Sequence, residues 1–151
     1  MTPRVSTGPV ELLIDARVVA ALDQELRRRA PRRVSGFLLG DSSGVVASAR
    51  AFCPALGPDT SSGRLSGADY QRALRMARRS GYKVVARYRT HPDGDPRVSA
   101  ADLARFRRSR LAMLVVTARP NGTQPQLAAY APPKGAPITV AVGHGKGRDP
   151  V

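Results

Sequence analysis

A chain of 151 residues and 16.1 kDa fits one domain whose core holds without staples. Its 42% hydrophobic content excludes wholesale disorder, and the lone Cys53 excludes an internal disulfide, in keeping with a reducing cytoplasm. The net charge of +14, carried almost wholly by arginine, is what a GC-rich bacterial genome produces and also what an acidic partner demands.

In chain order, Val10–Ile14 reads as a short strand of branched apolar residues. Asp15 stands at an N-cap position, and Val18, Val19, Leu22 and Leu26 recur at helical spacing as far as Ala30, before Pro31 stops the helix. Ser35–Gly40 is a strand with Gly44–Phe52 as its hairpin partner, joined through Asp41-Ser42-Ser43. Residues 53–66 lack periodicity and read as a loop, and a helix follows from Ala68 to Arg79 with Tyr70, Leu74 and Met76 as inward residues. Tyr82–Tyr88 is a buried strand, and Thr90–Val98 is a turn-rich loop. Ser99–Phe106 is a helix and Leu111–Thr117 an apolar strand. After a turn at Arg119–Gln124, Leu127–Tyr130 and Ile138–Val142 are the last strands. The pattern is α/β, a mixed sheet flanked by helices, in one domain over 10–142 between flexible tails at 1–9 and 143–151. No leader-like segment and no apolar run near the roughly 18 residues of a bilayer span is expected, so the protein should be cytoplasmic, with no membrane contact.

The chemistry concentrates in Tyr88-Arg89-Thr90-His91-Pro92, with Ser99 following seven intervening residues after His91 and Asp102 two further on. Upstream, Pro31-Arg32-Arg33-Val34-Ser35-Gly36 leads into a hydrophobic strand. This order and strand context resemble the JAMM (MPN/JAB-type) metalloproteases, whose motif is a Glu before such a strand and, downstream, His-x-His, a Ser and an Asp. The resemblance covers roughly residues 10–132 and implies the MPN/JAB, cytidine-deaminase-like architecture. In that family two His and one Asp hold zinc and leave a fourth position for water, the Glu takes the water's proton, and the Ser steadies the oxyanion.

Carried over position by position, the resemblance puts Arg33 where the Glu belongs and Arg89 where the first His belongs. His91 and Asp102 would be the two remaining zinc ligands, and Ser99 the oxyanion donor. A guanidinium has no lone pair to give a metal and cannot act as a base, and its charge repels a dication. The expectation is therefore a catalytically inactive, pseudo-metalloprotease domain with no cofactor. It would act by binding a protein: a ubiquitin-like protein, another MPN-type domain, or a second copy of itself. Two alternatives stand beside it. One is an active zinc isopeptidase with a rearranged site, for which Asp93 and Asp95 are the rescue candidates, since Glu11 and Glu25 are the chain's only glutamates. The other is a polyanion- or nucleic-acid-binding module built on the clusters Arg27–Arg29 with Arg32 and Arg33, and Arg105, Arg107, Arg108 and Arg110.

Plainer readings apply to the same residues. Ser99-x-x-Asp102 is a capping-box-like pair at a helix start, His91 is a turn residue before Pro92, and His144 is solvated. An Arg89–Asp102 ion pair would replace the charge of a lost metal.

Overall fold

Buried Leu12 and Ile14 alternate with half-buried Glu11 and Leu13, which makes β1 (Glu11–Asp15) a strand with one face in the core. The structure, a computed structural model, describes residues 9–56, 67–98, 100, 110–120, 124–132 and 135–143. Asp15 ends β1 and caps α1 (Ala16–Arg29), its carboxylate accepting from the backbone N–H of Arg17 at 2.9 Å. Val18, Val19, Leu22 and Leu26 form the buried stripe of α1. The antiparallel pair β2 (Ser35–Ser42) and β3 (Val46–Pro54) turns through Ser43–Val45, where Gly44 takes a positive φ of 85°.

After α2 (Gly67–Ser80), β4 (Lys83–His91) runs antiparallel to β2 and parallel to β5 (Ala112–Thr117). β6 (Gln126–Ala131) and β7 (Ala136–Gly143) follow as antiparallel neighbours. The strand order is β1-β3-β2-β4-β5-β6-β7, and β1 also pairs in parallel with β7, so the mixed sheet closes on itself. The expected flanked sheet did not include this closure. It arises because β1 is paired on both sides, Leu12 opposite Ala47 and Val140, and a closed sheet leaves no unpaired edge.

The two helices take opposite faces. α1 packs with Leu12, Ile14, Leu38, Ala86, Tyr88, Leu114 and Val116, the main core. α2 lies over Phe37, Leu39 and Cys53.

Three expectations need correction or completion. The inward residues of α2 are Asp69, Ala73 and Ala77, whereas Tyr70 and Met76 are exposed and Leu74 is half-buried. Alanines four residues apart let the helix backbone approach the sheet, and Tyr70 lies at the margin with its ring 5.5 Å from that of Phe37. β4 extends three residues beyond Tyr88, so Thr90 and His91 are strand residues rather than loop. The extension is held by Thr90, whose N–H donates to the Val34 carbonyl at 2.9 Å and whose hydroxyl accepts from the Val34 N–H at 2.9 Å. The helix expected over Ser99–Phe106, apart from Ala100, both tails beyond Pro9 and Gly143, and the loop at 57–66 lie outside the described residues.

Gly36 marks a close approach of β2 to its neighbours: a Cβ there would sit 2.6 Å from the Tyr88 ring and 2.5 Å from the Cys53 carbonyl oxygen. Gly36→Ala should lose about 1–3 kcal/mol of stability in urea titrations. Gly67→Ala, with open space around it, should stay within about 0.5 kcal/mol of wild type.

Candidate functional site

Side chains alternate along a strand, so β4 sends Ala86, Tyr88 and Thr90 to the α1 face and Arg87, Arg89 and His91 to the α2 face. Register extends the second set sideways. Ser35 of β2 and Val115 of β5 flank Arg89, and Thr117 flanks His91. Arg33 lies two residues before Ser35 and reaches the same end of the sheet, where its Nη2 is 3.2 Å from Oδ2 of Asp93. The fold thus gathers Arg33, Arg89, His91, Asp93 and Asp95 at the C-terminal end of β4. Ser99, Asp102 and His144 lie outside the described residues.

His91 is fully buried and held by one contact: Nδ1 is 2.7 Å from the Asp95 carbonyl oxygen. That oxygen can only accept, which puts the proton on Nδ1 and the lone pair on Nε2. Nε2 has no hydrogen-bond partner among the described residues. Burial holds the imidazole pKa below its usual value, the nearby Arg33 and Arg89 charges push it the same way, and the Asp95 contact opposes them. Arg89 is 5% exposed, a guanidinium set into the sheet between Ser35 and Val115.

The carboxylates nearby are already engaged. Asp93 accepts from the Asp95 N–H at 3.2 Å and pairs with Arg33, and both keep its pKa low. Asp95 is gripped by Arg97, with contacts of 3.0 and 2.9 Å, which lowers its pKa further. Of the two glutamates, Glu25 is buried under α1 between Arg28 at 2.8 Å and Arg29 at 3.3 Å. Glu11 lies on β1, separated from β4 by β3 and β2. Neither stands where Arg33 does. A cavity of about 510 Å³ adjoins the site, between Leu26, Arg27 and Ala30 of α1 and the turns Pro92–Gly94 and Ala118–Pro120.

Sequence reasoning missed Ser35 and Thr117. Both are buried, and Ser35 Oγ and Thr117 Oγ1 lack hydrogen-bond partners among the described residues. Only the strand register, two polar residues directly across from Arg89 and His91, could have found them.

No family model and no curated protein matches the chain. Solved structures do. Protein DSY2949 from Desulfitobacterium hafniense is similar with a TM-score of 0.74 at 19% identity, over 87% of this chain and 92% of that one. AF2198, a JAB1/MPN domain protein from Archaeoglobus fulgidus, is similar with a TM-score of 0.59 at 17% identity, over 88% of this chain and 98% of that one. At these identities the likeness is one of fold.

Zinc fits the described residues poorly. One imidazole offers a lone pair, two guanidinium charges act on it, and no group of three His, Cys, Asp or Glu side chains is placed to hold a metal among the described residues.

A buried histidine whose pKa is lower folded than unfolded binds fewer protons when folded, so stability is full above the unfolded value near 6.5 and falls as pH drops below it. The unfolding free energy should decline between about pH 6.5 and 5 by at most about 1.4 kcal/mol per pH unit. Denaturant titrations of His91→Gln should lack that decline in this window.

Proposed function

We propose that this chain is a catalytically inactive MPN/JAB-like domain that works by binding an acidic protein. The observation that carries the reading is the pair of arginines around His91. They stand where the resembling family keeps its general base and a zinc ligand, and their charge acts on the one imidazole at the site. Neither can accept a proton from water or donate a lone pair to a metal.

The acidic partner is argued from α2. On α1 the basic residues are answered within the helix, Arg27 by Asp23 at 3.1 Å and Arg28 and Arg29 by Glu25. On α2, Arg75, Arg78 and Arg79 are exposed beside Met76 and have no ion-pair partner among the described residues. Arg75 and Arg79 stand one turn apart and repel each other, which is relieved by an opposing acidic surface. A ubiquitin-like protein or an active relative of the same fold would supply one, in the cytoplasm, as the unpaired Cys53 suits.

Elemental analysis after mild dialysis tests the inactive site. Wild type should carry no zinc, and Arg33→Glu/Arg89→His should take up about one per chain. Stoichiometric zinc in wild type would overturn the reading and return attention to Asp93 and Asp95. Charge reversal at Arg75 and Arg78 should weaken capture of the protein partner at least tenfold without a change in melting temperature. Equal binding of any polyanion, with steep salt dependence, would favour a nucleic-acid module instead.

A further inference from the structure

The geometry points to the cavity between the end of α1 and the turns after β4 and β5 as a binding site for a small amphipathic carboxylate, an apolar body with one negatively charged end. None of the metal-motif positions lines this cavity, so the inference stands whichever way the zinc question falls.

The cavity encloses about 510 Å³, inside the range of roughly 300–1,000 Å³ that small-molecule sites occupy. Leu26, the one buried residue of its lining, is 1% exposed. Ala30, Pro92, Ala118 and Pro120 extend that apolar surface outward. One wall is the end of α1. The other is made of two turns tied to a single acceptor: the N–H groups of Gly94 and Ala118 both donate to the His91 carbonyl, at 3.4 and 3.1 Å. Gly94 takes a positive φ of 81° in its turn, a conformation that glycine adopts at no steric cost. The space is therefore preformed between a helix end and the ends of two paired strands.

The charges along the lining select the ligand. Asp93 is engaged by Arg33 and by the Asp95 N–H, each at 3.2 Å. Arg27 is paired with Asp23 at 3.1 Å. Arg119 is exposed and has no ion-pair partner among the described residues, so the charge left to a ligand is one guanidinium at the rim of an apolar hollow. Its fork matches a carboxylate through two parallel N–H bonds. A neutral apolar ligand would leave that fork unused, and a bare inorganic anion would leave Leu26 and the prolines uncovered. An extended peptide has no strand to join, because every described strand is already paired on both sides. A compact molecule with both features uses the whole site.

The test is a titration of the full chain with sodium octanoate at constant ionic strength, followed in proton–nitrogen correlation spectra. Octanoate should shift the amides of Leu26, Ala30, Gly94, Ala118 and Arg119 saturably. Octanol, which lacks the charge, and sodium acetate, which lacks the body, should each bind at least tenfold more weakly. Arg119→Gln should raise the octanoate Kd about tenfold, the loss of a charge-assisted hydrogen bond, and Arg119→Lys should recover part of it. Ala30→Phe should fill the hollow and abolish the shifts. Lys83→Gln, which removes an equal charge at the far end of β4, should leave the Kd unchanged. Each variant's own spectrum shows whether it is folded. No saturable shift, shifts spread over the basic surface, octanol binding as tightly as octanoate, or a Kd indifferent to Arg119→Gln and Ala30→Phe would each overturn the proposal. Zinc content has no part in these readouts, so their failure leaves the inactive-site reading untouched.

Discussion

Strand β4 is buried on both faces from Ala86 to His91, with Arg87 alone half-buried, and it has paired strands on both sides. A strand so placed must answer for every side chain in the core rather than in water. On the α1 face Tyr88 sets its ring edge-on to Phe52 at 5.8 Å, and Gly36 gives up a side chain so that β2 can approach it. That approach fixes the register of β2 on β4, because a slip of one residue would drive a Cβ into the Tyr88 ring. The same register puts Ser35 opposite Arg89. Packing on one face of the sheet therefore dictates the polar arrangement on the other.

The charge of +14 is distributed by a similar logic. Where arginines share α1 with Asp23 and Glu25, they are neutralised one turn away and sit near the helix C-terminus, whose dipole favours them. The second helix has Asp69 in its first turn, and that carboxylate is taken by the backbone N–H of Leu56 and by Arg72. Its outer arginines have nothing comparable among the described residues. Composition alone would load both helices equally, so the contrast lies in where the acidic residues fall along the chain.

Much of this was legible in the sequence because it is local. The cap at Asp15, the stripe of α1, the β2–β3 pair and the apolar run of β5 each follow from spacing within a few residues, and all stand in the structure. The inward face of α2 was not legible, because it is decided by how close the helix comes to Phe37 and Cys53, which favours Ala73 and Ala77 over the larger Leu74 and Met76. The end of β4 was obscured by Pro92 and the glycine and aspartates after it, which read as a loop. The bonds between Thr90 and Val34, 56 residues apart, carry the strand three residues further, to His91. For the site, the motif spacing found Arg33, Arg89 and His91, but Ser35 and Thr117 become neighbours of those residues only through pairing. Barrel closure is likewise a contact between the first and last strands.

Why arginine stands at Arg89 is a physical question in its own right. An apolar residue would be easier to bury at this position, since Val115 beside it is apolar and a buried guanidinium costs several kcal/mol to strip of water. The cost is tolerable only where the guanidinium is partnered, as Arg89 is within this fold. Tyr88 and Gly36, which lock the register of β2 on β4, thereby also fix what stands beside that guanidinium: the Ser35 hydroxyl on one side and Val115 on the other.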